Sequence, residues 1–378
     1  MQRDDAIALV RELLTAARRH DTARLLELYA DDAVVVSPMF GEVRGGVAVA
    51  ATWRTLFTNL PDFKADIGHV LVDGDRIAVL GEVEATDSIG WSGLQPTFGP
   101  IRYKLVLLFT VKDGRVARDE RLYDSVGVLE RLEKTRLDKE LRTAAAVQRM
   151  LLSRTEHVTP FSESVGDSVA CRAIGGDFFE ILEGSTGDVG LVLGDVAGKG
   201  PAAALLASML QGMLATEARS GDGPASILTR MNRELASRNI ESKFATIIYA
   251  VLSPDGRLVY SNAGHNAPAV VTRGGLERLT TGGPILGAFG DVTFEQATVQ
   301  LQPNDTLVMF TDGVTEARDV ANDEFGEARL IASIGNDCGA PPRDLLRRIF
   351  ADVRDFCRDA EQTDDITVTV TRFCGGLS

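Results

Sequence analysis

Cysteine is scarce in this chain. There are four among 378 residues, Cys171, Cys338, Cys357 and Cys374. They are too few and too scattered for a disulfide framework, and none stands in a CxxC pair or a Cys-x5-Arg phosphate loop. Zinc ribbons and cysteine-nucleophile phosphatases are thereby excluded, and structural thiols in a reducing compartment are expected. No dense Lys/Arg run occurs, and 40 Lys plus Arg against 54 Asp plus Glu leave a formal charge of −14. Such a chain is a poor general binder of nucleic acid or of an anionic membrane. Long apolar runs are missing as well. The N-terminus, MQRDDAIALVREL, is acidic at once, and the strongest apolar stretches, such as Leu105 to Val111, are strand-sized. A cytoplasmic protein without nucleic-acid or membrane partners is expected. Glycine (37) and proline (13) fall far below fibrous proportions, and 44% hydrophobic with 25% charged residues is ordinary globular usage. The length allows about two to three domains.

The patterning divides the chain into three stretches. Residues 3 to 30 read as helix, with Ala6, Leu9, Val10, Leu13, Leu14 and Ala17 at helical spacing. A short strand at Ala33 to Val36, a turn-rich link at Pro38 to Gly46 and a helix at Val47 to Leu60 follow. Strands are predicted at 63–73, 75–87, 101–112 and 114–124, with Asp73-Gly74 and Asp113-Gly114 as hairpin turns. This first stretch, 1–125, is an α+β plan. From 126 to 156 the turn residues nearly vanish. Leu129, Leu132, Leu137, Leu141, Ala144, Val147 and Leu151 recur at spacings of mostly three to four. One long linker helix is predicted, either a spacer or a coiled-coil seam that would make a homodimer. From 157 onward strands alternate with helices. Strands are read at Val189–Gly194, Phe244–Leu252, Arg257–Ala263, Thr306–Thr311 and Ile366–Phe373. Helices are read at Ala202–Ala218, Ala225–Arg238 and Pro342–Asp359.

Four short acidic motifs stand out in this last stretch: Gly175-Gly176-Asp177-Phe178-Phe179, Gly194-Asp195-Val196-Ala197-Gly198-Lys199-Gly200, Phe310-Thr311-Asp312-Gly313 and Thr363-Asp364-Asp365-Ile366-Thr367. Each aspartate alone has a plain explanation as a cap or turn residue. Four together, three of them at strand ends and with no Cys/His cluster beside them, point to hard-cation chemistry. Aspartate oxygens suit Mg²⁺ or Mn²⁺, and two such ions a few ångströms apart clamp a phosphate and activate a water.

The order GGDFF, GDVAGKG, FATIIYAVL, NAGHNAP, LGAF, LVMFTDGVTEARD and DDITV, over about residues 137 to 373, resembles the bacterial PPM-type (PP2C-like) serine/threonine phosphatases. Within them it is most similar to the stress-response and sporulation regulators that dephosphorylate anti-sigma-factor antagonists. The resemblance implies an α/β/β/α sandwich and a metal-dependent phosphatase acting through metal-bound water. It also implies two divalent cations, Mn²⁺ or Mg²⁺, and a phosphorylated antagonist of STAS type as partner. Asp177 and Asp195 would be metal ligands, Asp195 bridging, with the Val196 carbonyl adding an oxygen. Asp312 and Asp364 would complete the second ion's shell. Asp365 stands where many relatives have Asn and would support the site or serve as an alternative ligand. Lys199 and Arg172 would attract phosphate or remain solvated. His265 reads as a buried turn histidine rather than a general acid, and Glu180 is a conservative departure from Asp.

The first 125 residues resemble the NTF2-like superfamily, its SnoaL-like branch in particular. The motifs are Tyr29-Ala30-Asp31-Asp32-Ala33-Val34, the turn Gly41 to Gly46, and Asp113-Gly114-Arg115-Val116 through Tyr123-Asp124. This implies a cone with an apolar pocket that Trp53, Phe57, Phe63, Trp91, Phe98, Tyr103 and Phe109 would line and that a small ligand would enter. Asp66, His69, Glu82, Glu84, Asp119 and Glu120 are the acid/base candidates, and their spacing selects no pair. A sensory or dimerising domain is expected. Two other readings stay open: a non-enzymatic partner-binding regulator, and cyclase-like small-molecule chemistry in the first domain.

Overall fold

The computed structural model describes residues 3–90, 94–151, 155–184, 187–238, 244–335 and 339–375, without the side chains of Arg149 and Leu151. The chain forms two compact units, residues 1–140 and 141–378. Among the described residues no helix is long and apolar enough to cross a membrane.

The first unit opens with α1 (Arg3–Arg18), which buries Ala6, Leu9, Val10, Leu13 and Ala17 of the predicted stripe together with Ala16, while Leu14 is only partly buried against the core. Asp21 caps α2 (Thr22–Leu28) by accepting from the Arg24 amide at 2.9 Å. Then come β1 (Tyr29–Ser37), β2 (Gly41–Arg44), α3 (Gly46–Asn59), β3 (Lys64–Asp73), β4 (Arg76–Thr86), β5 (Pro100–Lys112) and β6 (Arg115–Tyr123). They make one six-stranded sheet in the order β2-β1-β6-β5-β4-β3, with β1 and β6 parallel. Both hairpins are two-residue turns. Asp113 and Gly114 take φ of 51° and 74°, the pair of positive values that a turn matching the strand twist demands. Helices and sheet enclose a single core that includes Leu13, Tyr29, Trp53, Ile77 and Phe109.

Two predictions here need correction. The helical reading extended through residue 30, but β1 already begins at Tyr29. The link at Pro38 to Gly46 holds a strand, β2, because Val34 to Ser37 offer it a partner edge that sequence periodicity does not reveal.

A 27-residue helix, α4 (Ser125–Leu151), follows and contains the division between the units. Along its predicted stripe, Leu132 is buried in the first unit, whereas Leu137 and Val147 are each 52% exposed.

The second unit contains β7 (Glu156–Val158), β8 (Ser162–Val169), β9 (Phe178–Glu183), β10 (Val189–Val196), α5 (Pro201–Glu217), α6 (Pro224–Ser237), β11 (Ala245–Leu252) and β12 (Arg257–Ala263). It continues with β13 (Ala269–Thr272), β14 (Gly275–Arg278), β15 (Gly282–Gly283), β16 (Ala297–Gln300), β17 (Thr306–Phe310), α7 (Asp312–Thr315), α8 (Gly326–Ile334), α9 (Pro342–Cys357) and β18 (Ile366–Phe373). One sheet runs β15-β12-β11-β10-β9, with β16 beside β12. The other runs β14-β13-β17-β18-β8-β7. Three apolar clusters define the layers. One lies between α5/α6 and the first sheet, one between the two sheets, and one between the second sheet and α8/α9. The architecture is the expected α/β/β/α sandwich.

Strand β8 escaped the sequence reading, since SESVGDSV is polar. Its Ser164 and Ser168 meet Thr371 and Thr367 of β18 at 3.0 and 2.8 Å, so hydroxyl pairs replace apolar contacts along this stretch of the sheet.

Candidate metal centre

The four acidic motifs meet where strands of both sheets end. Asp177 immediately precedes β9, and Asp195 lies near the end of β10, opposite Thr246 of β11. Asp312 opens the short α7 directly after β17, and Asp364 stands two residues before β18. The first two belong to one sheet and the last two to the other.

Asp177 is buried, and two hydroxyls from the opposite sheet hold one of its oxygens. Thr311 Oγ1 and Thr367 Oγ1 donate to Asp177 Oδ2 at 2.8 and 2.6 Å. Burial, reinforced by the charge of Asp195, drives its carboxyl well above the usual range. Burial pushes Asp195 up to about 7, with the charges of Asp312 and Asp364 adding to it. Asp312 is also raised, first by burial and then by Asp364. Carboxylates held this close repel one another unless a cation or protons intervene.

Asp365 does a different job. Its Oδ1 accepts from the Cys171 amide at 2.8 Å and its Oδ2 from the Gly176 amide at 2.8 Å. Both oxygens therefore hold the Gly-Gly-Asp loop in place. The closeness of that fit explains two glycines. A Cβ on Gly176 would stand 2.9 Å from the Val196 carbonyl oxygen, and one on Gly313 would stand 1.9 Å from the Asp365 carbonyl oxygen.

Among the described residues, the donor atoms of Cys171, Asp364 and Asp365 lie within 4.8 Å of one another. Burial pushes the Cys171 thiol up to about 11, so at neutral pH it is a protonated, poor ligand. The effective donors are oxygens, the set that suits Mg²⁺ or Mn²⁺ rather than zinc. Lys199 Nζ lies 2.9 Å from Asp364 Oδ2 and also donates to the Thr363 carbonyl, which gives the cluster one resident positive charge.

His265 is buried and its pKa is pushed down to about 4, so it is neutral. Its Nδ1 is 2.8 Å from Thr246 Oγ1, and its amide donates to Asn262 Oδ1 at 2.7 Å. Glu180 accepts from Gln211 Nε2 at 2.9 Å. Arg172 is exposed. Sequence reasoning overlooked Thr311 and Thr367, although both stand inside the quoted motifs, one residue before Asp312 and two after Asp365.

A profile of the family described as Stage II sporulation protein E (SpoIIE) matches residues 185–373, half of the chain. The chain belongs to this family. Asp195, Asp312, Asp364 and Asp365 fall within the SpoIIE match, and Asp177 lies just ahead of it. A SnoaL-like domain profile matches residues 10–119. Phosphoserine phosphatase RsbU of Bacillus subtilis (strain 168) is 26% identical over 239 residues, 62% of this chain and 70% of RsbU. Protein IcfG of Synechocystis sp. is 26% identical over 226 residues, and this chain spans 36% of it. Phosphoserine phosphatase RsbP of Bacillus subtilis is 25% identical over 202 residues, 48% of its length. The SiaA-PP2C domain of Pseudomonas aeruginosa superimposes with a TM-score of 0.55 at 19% identity, covering 64% of this chain and 98% of that one. The RsbU and RsbW domains of Rv1364c from Mycobacterium tuberculosis give 0.52 at 24%, covering 60% and 64%. These two likenesses show that the SpoIIE unit has the PP2C-like fold.

The SnoaL-like unit has a site of its own. A cavity of about 50 Å³ is walled by Trp53, Phe63, Tyr103 and Phe109, among others. Phe57 packs instead on His20, with ring centroids 4.3 Å apart. Phe98 is 64% exposed, and Trp91 lies outside the described residues. Alternation along β6 turns both Asp119 and Arg121 inward, where they are almost fully buried. Asp119 Oδ2 accepts from Tyr29 Oη at 2.7 Å and from Arg121 Nε and Nη2 at 3.0 and 2.9 Å. Arg121 also stacks over the Trp53 ring at 4.4 Å. Of the other acid/base candidates only Asp66 borders the cavity, and its side chain is 78% exposed.

Proposed function

We propose that this chain is a metal-dependent protein serine/threonine phosphatase. Its substrate is a phosphorylated antagonist of an anti-sigma factor, of STAS type, and the SnoaL-like unit regulates it. The observation that carries this reading is the meeting of Asp177, Asp195, Asp312 and Asp364 at strand ends of both sheets. The family membership and the phosphoserine phosphatase activity of RsbU and RsbP support it.

These four carboxylates and the Val196 carbonyl would hold two Mn²⁺ or Mg²⁺ ions. The chemistry supplied by such a pair is polarisation of a phosphoryl oxygen and activation of water at neutral pH. The chain's own part is positional. Thr311 and Thr367 fix Asp177, and Asp365 fixes the loop that carries it. Neutral, buried His265 supports the backbone rather than giving a proton. With Mn²⁺, the purified protein should hydrolyse p-nitrophenyl phosphate and phosphoserine peptides, and Asp312→Ala should lose more than ~100-fold of that rate. Metal-independent hydrolysis, or equal rates in the variant, would refute the assignment.

Regulation is proposed to pass through α4. Its Ala145 packs with Ile174 and Ala204, and Gln148 Nε2 donates to the Gly175 carbonyl at 2.9 Å, two residues from Asp177. A shift of this helix therefore moves the metal-binding loop. The exposed stripe containing Leu137 and Val147 supplies a seam for a homodimer. Gln148→Ala in the full chain should shift the Mn²⁺ concentration for half-maximal activity by at least ~5-fold. An unchanged titration would detach α4 from the site.

The signal is proposed to be a small, largely apolar ligand in the SnoaL-like cavity. Trp53 Nε1 and Asp119 Oδ1 are buried there without a partner in hydrogen-bond geometry and are the polar groups on offer. Cyclase-like chemistry is disfavoured, because the one buried carboxylate of this cavity is already tied to Tyr29 and Arg121.

A further inference from the structure

A groove of about 280 Å³ leaves the metal centre on the α9 side of the second unit. Asp364 and Gly313 form its inner end. Its floor is apolar, made by Ala317, Phe350 and Val353. Its outer rim carries Arg354 and Arg358, both exposed, and among the described residues neither has an ion-pair partner. A third arginine at the groove, Arg318, is engaged by Glu324. The acids at the groove are Glu361 and Asp364, and Asp364 already faces Lys199.

Two features set this surface apart. On a chain of net charge −14, a rim with two unpaired arginines is a local reversal of sign. In addition, Arg358 caps the end of α9 at φ 51° and ψ −111°. Glycine takes a positive φ with less strain, and here the position holds a long cationic side chain instead.

We propose that this groove is a docking channel for the phosphoprotein substrate. An apolar side chain a few residues from the phosphoserine lies on the Ala317/Phe350/Val353 floor, and an acidic residue next to it meets Arg354 and Arg358. The inference rests on the phosphatase reading, because it takes the phosphoserine to be at the metal centre into which the groove opens. The charge match favours an acidic segment over a basic one. The depth of the groove, with a floor that includes the nearly buried Val353 and Ala317, favours one inserted side chain over a flat contact.

The test uses the full-length protein and fluorescein-labelled phosphoserine peptides, with binding read by anisotropy. A peptide set carries Leu followed by Glu at each position two to four residues from the phosphoserine. Matched sets replace Leu by Ser, or Glu by Lys. One Leu-Glu peptide should bind about tenfold more tightly than its Ser counterpart, the scale set by burying one leucine side chain. The doubly substituted Arg354→Glu/Arg358→Glu protein should reverse the order of the Glu and Lys peptides. That gain of a new preference shows that the variant is folded. Equal affinity across the sets, or an unchanged order in the double variant, overturns the docking channel. Hydrolysis of p-nitrophenyl phosphate by the unaltered protein is followed in parallel. Its failure would overturn the phosphatase reading, while the binding measurements still decide what the groove accepts.

Discussion

Stripped of divalent cations, the second unit is expected to lose stability as the pH rises from about 4 to 7. The reason lies in the carboxyl cluster. Asp195 titrates near 7 in the folded protein, against 3.8 for the free side chain, and Asp177 and Asp312 are displaced the same way. Between those two values the folded state binds more protons than the unfolded one, so raising the pH favours unfolding. The displacement of Asp195 alone is on the order of 4 kcal/mol, or roughly 10 °C in the melting temperature of a unit this size. The destabilisation is absent below about pH 4 and fully developed above about pH 7. Saturating Mn²⁺ should reverse the trend, because ligands are released from protons as the pH rises. At a hundredfold excess over Kd the ion returns about 2.7 kcal/mol. Calorimetric scans with EDTA and with Mn²⁺ across this range would show two curves that diverge with pH. Parallel curves would mean that the aspartates are not gathered as described.

A comparably large effect is expected in the first unit. Burial works against the charge of Arg121, but Asp119 and Tyr29 beside it outweigh this and hold its pKa above the ordinary arginine value. Replacing Arg121 by Met leaves Asp119 charged, buried and without its main partner. Loss of one member of such a pair costs about 3–5 kcal/mol, which lowers the melting of this unit by roughly 10–15 °C. The double change Arg121→Met/Asp119→Leu should recover much of the loss, since it removes the stranded charge. A double-mutant cycle read by thermal unfolding measures the coupling directly. An Arg121→Met protein that melts like the parent would show that the pair is not buried as a unit.

These cases also mark what could be read from sequence. The four aspartate motifs were legible because each sits against glycine or threonine in a short, self-contained phrase. The second hairpin was legible because Asp113-Gly114 fixes its turn locally, whereas the first turns on Gly74-Asp75, one residue later than read, with Asp73 paired to Arg76 in the sheet. Tyr29, Asp119 and Arg121 were not legible as a network. Tyr29 and Asp119 are 90 residues apart, and only the parallel pairing of β1 with β6 brings them together. Strand β8 was hidden because its buried contacts to β18 include serine and threonine hydroxyls rather than apolar groups alone. Cysteine scarcity excluded thiol chemistry, yet it did not show that Cys171 would stand beside Asp364 and Asp365.

The two threonine bonds to Asp177 have a mechanical consequence. They stitch the leading edge of one sheet to the other, beside a core built from an apolar cluster. Apolar layers tolerate sliding, whereas a 2.6 Å hydrogen bond is lost when its partners separate by about an ångström. The centre therefore works as a caliper that gauges the alignment of the two sheets. An input that slips one layer against the other by the width of a bond would open the jaws, with no element unfolding and no ligand entering the site.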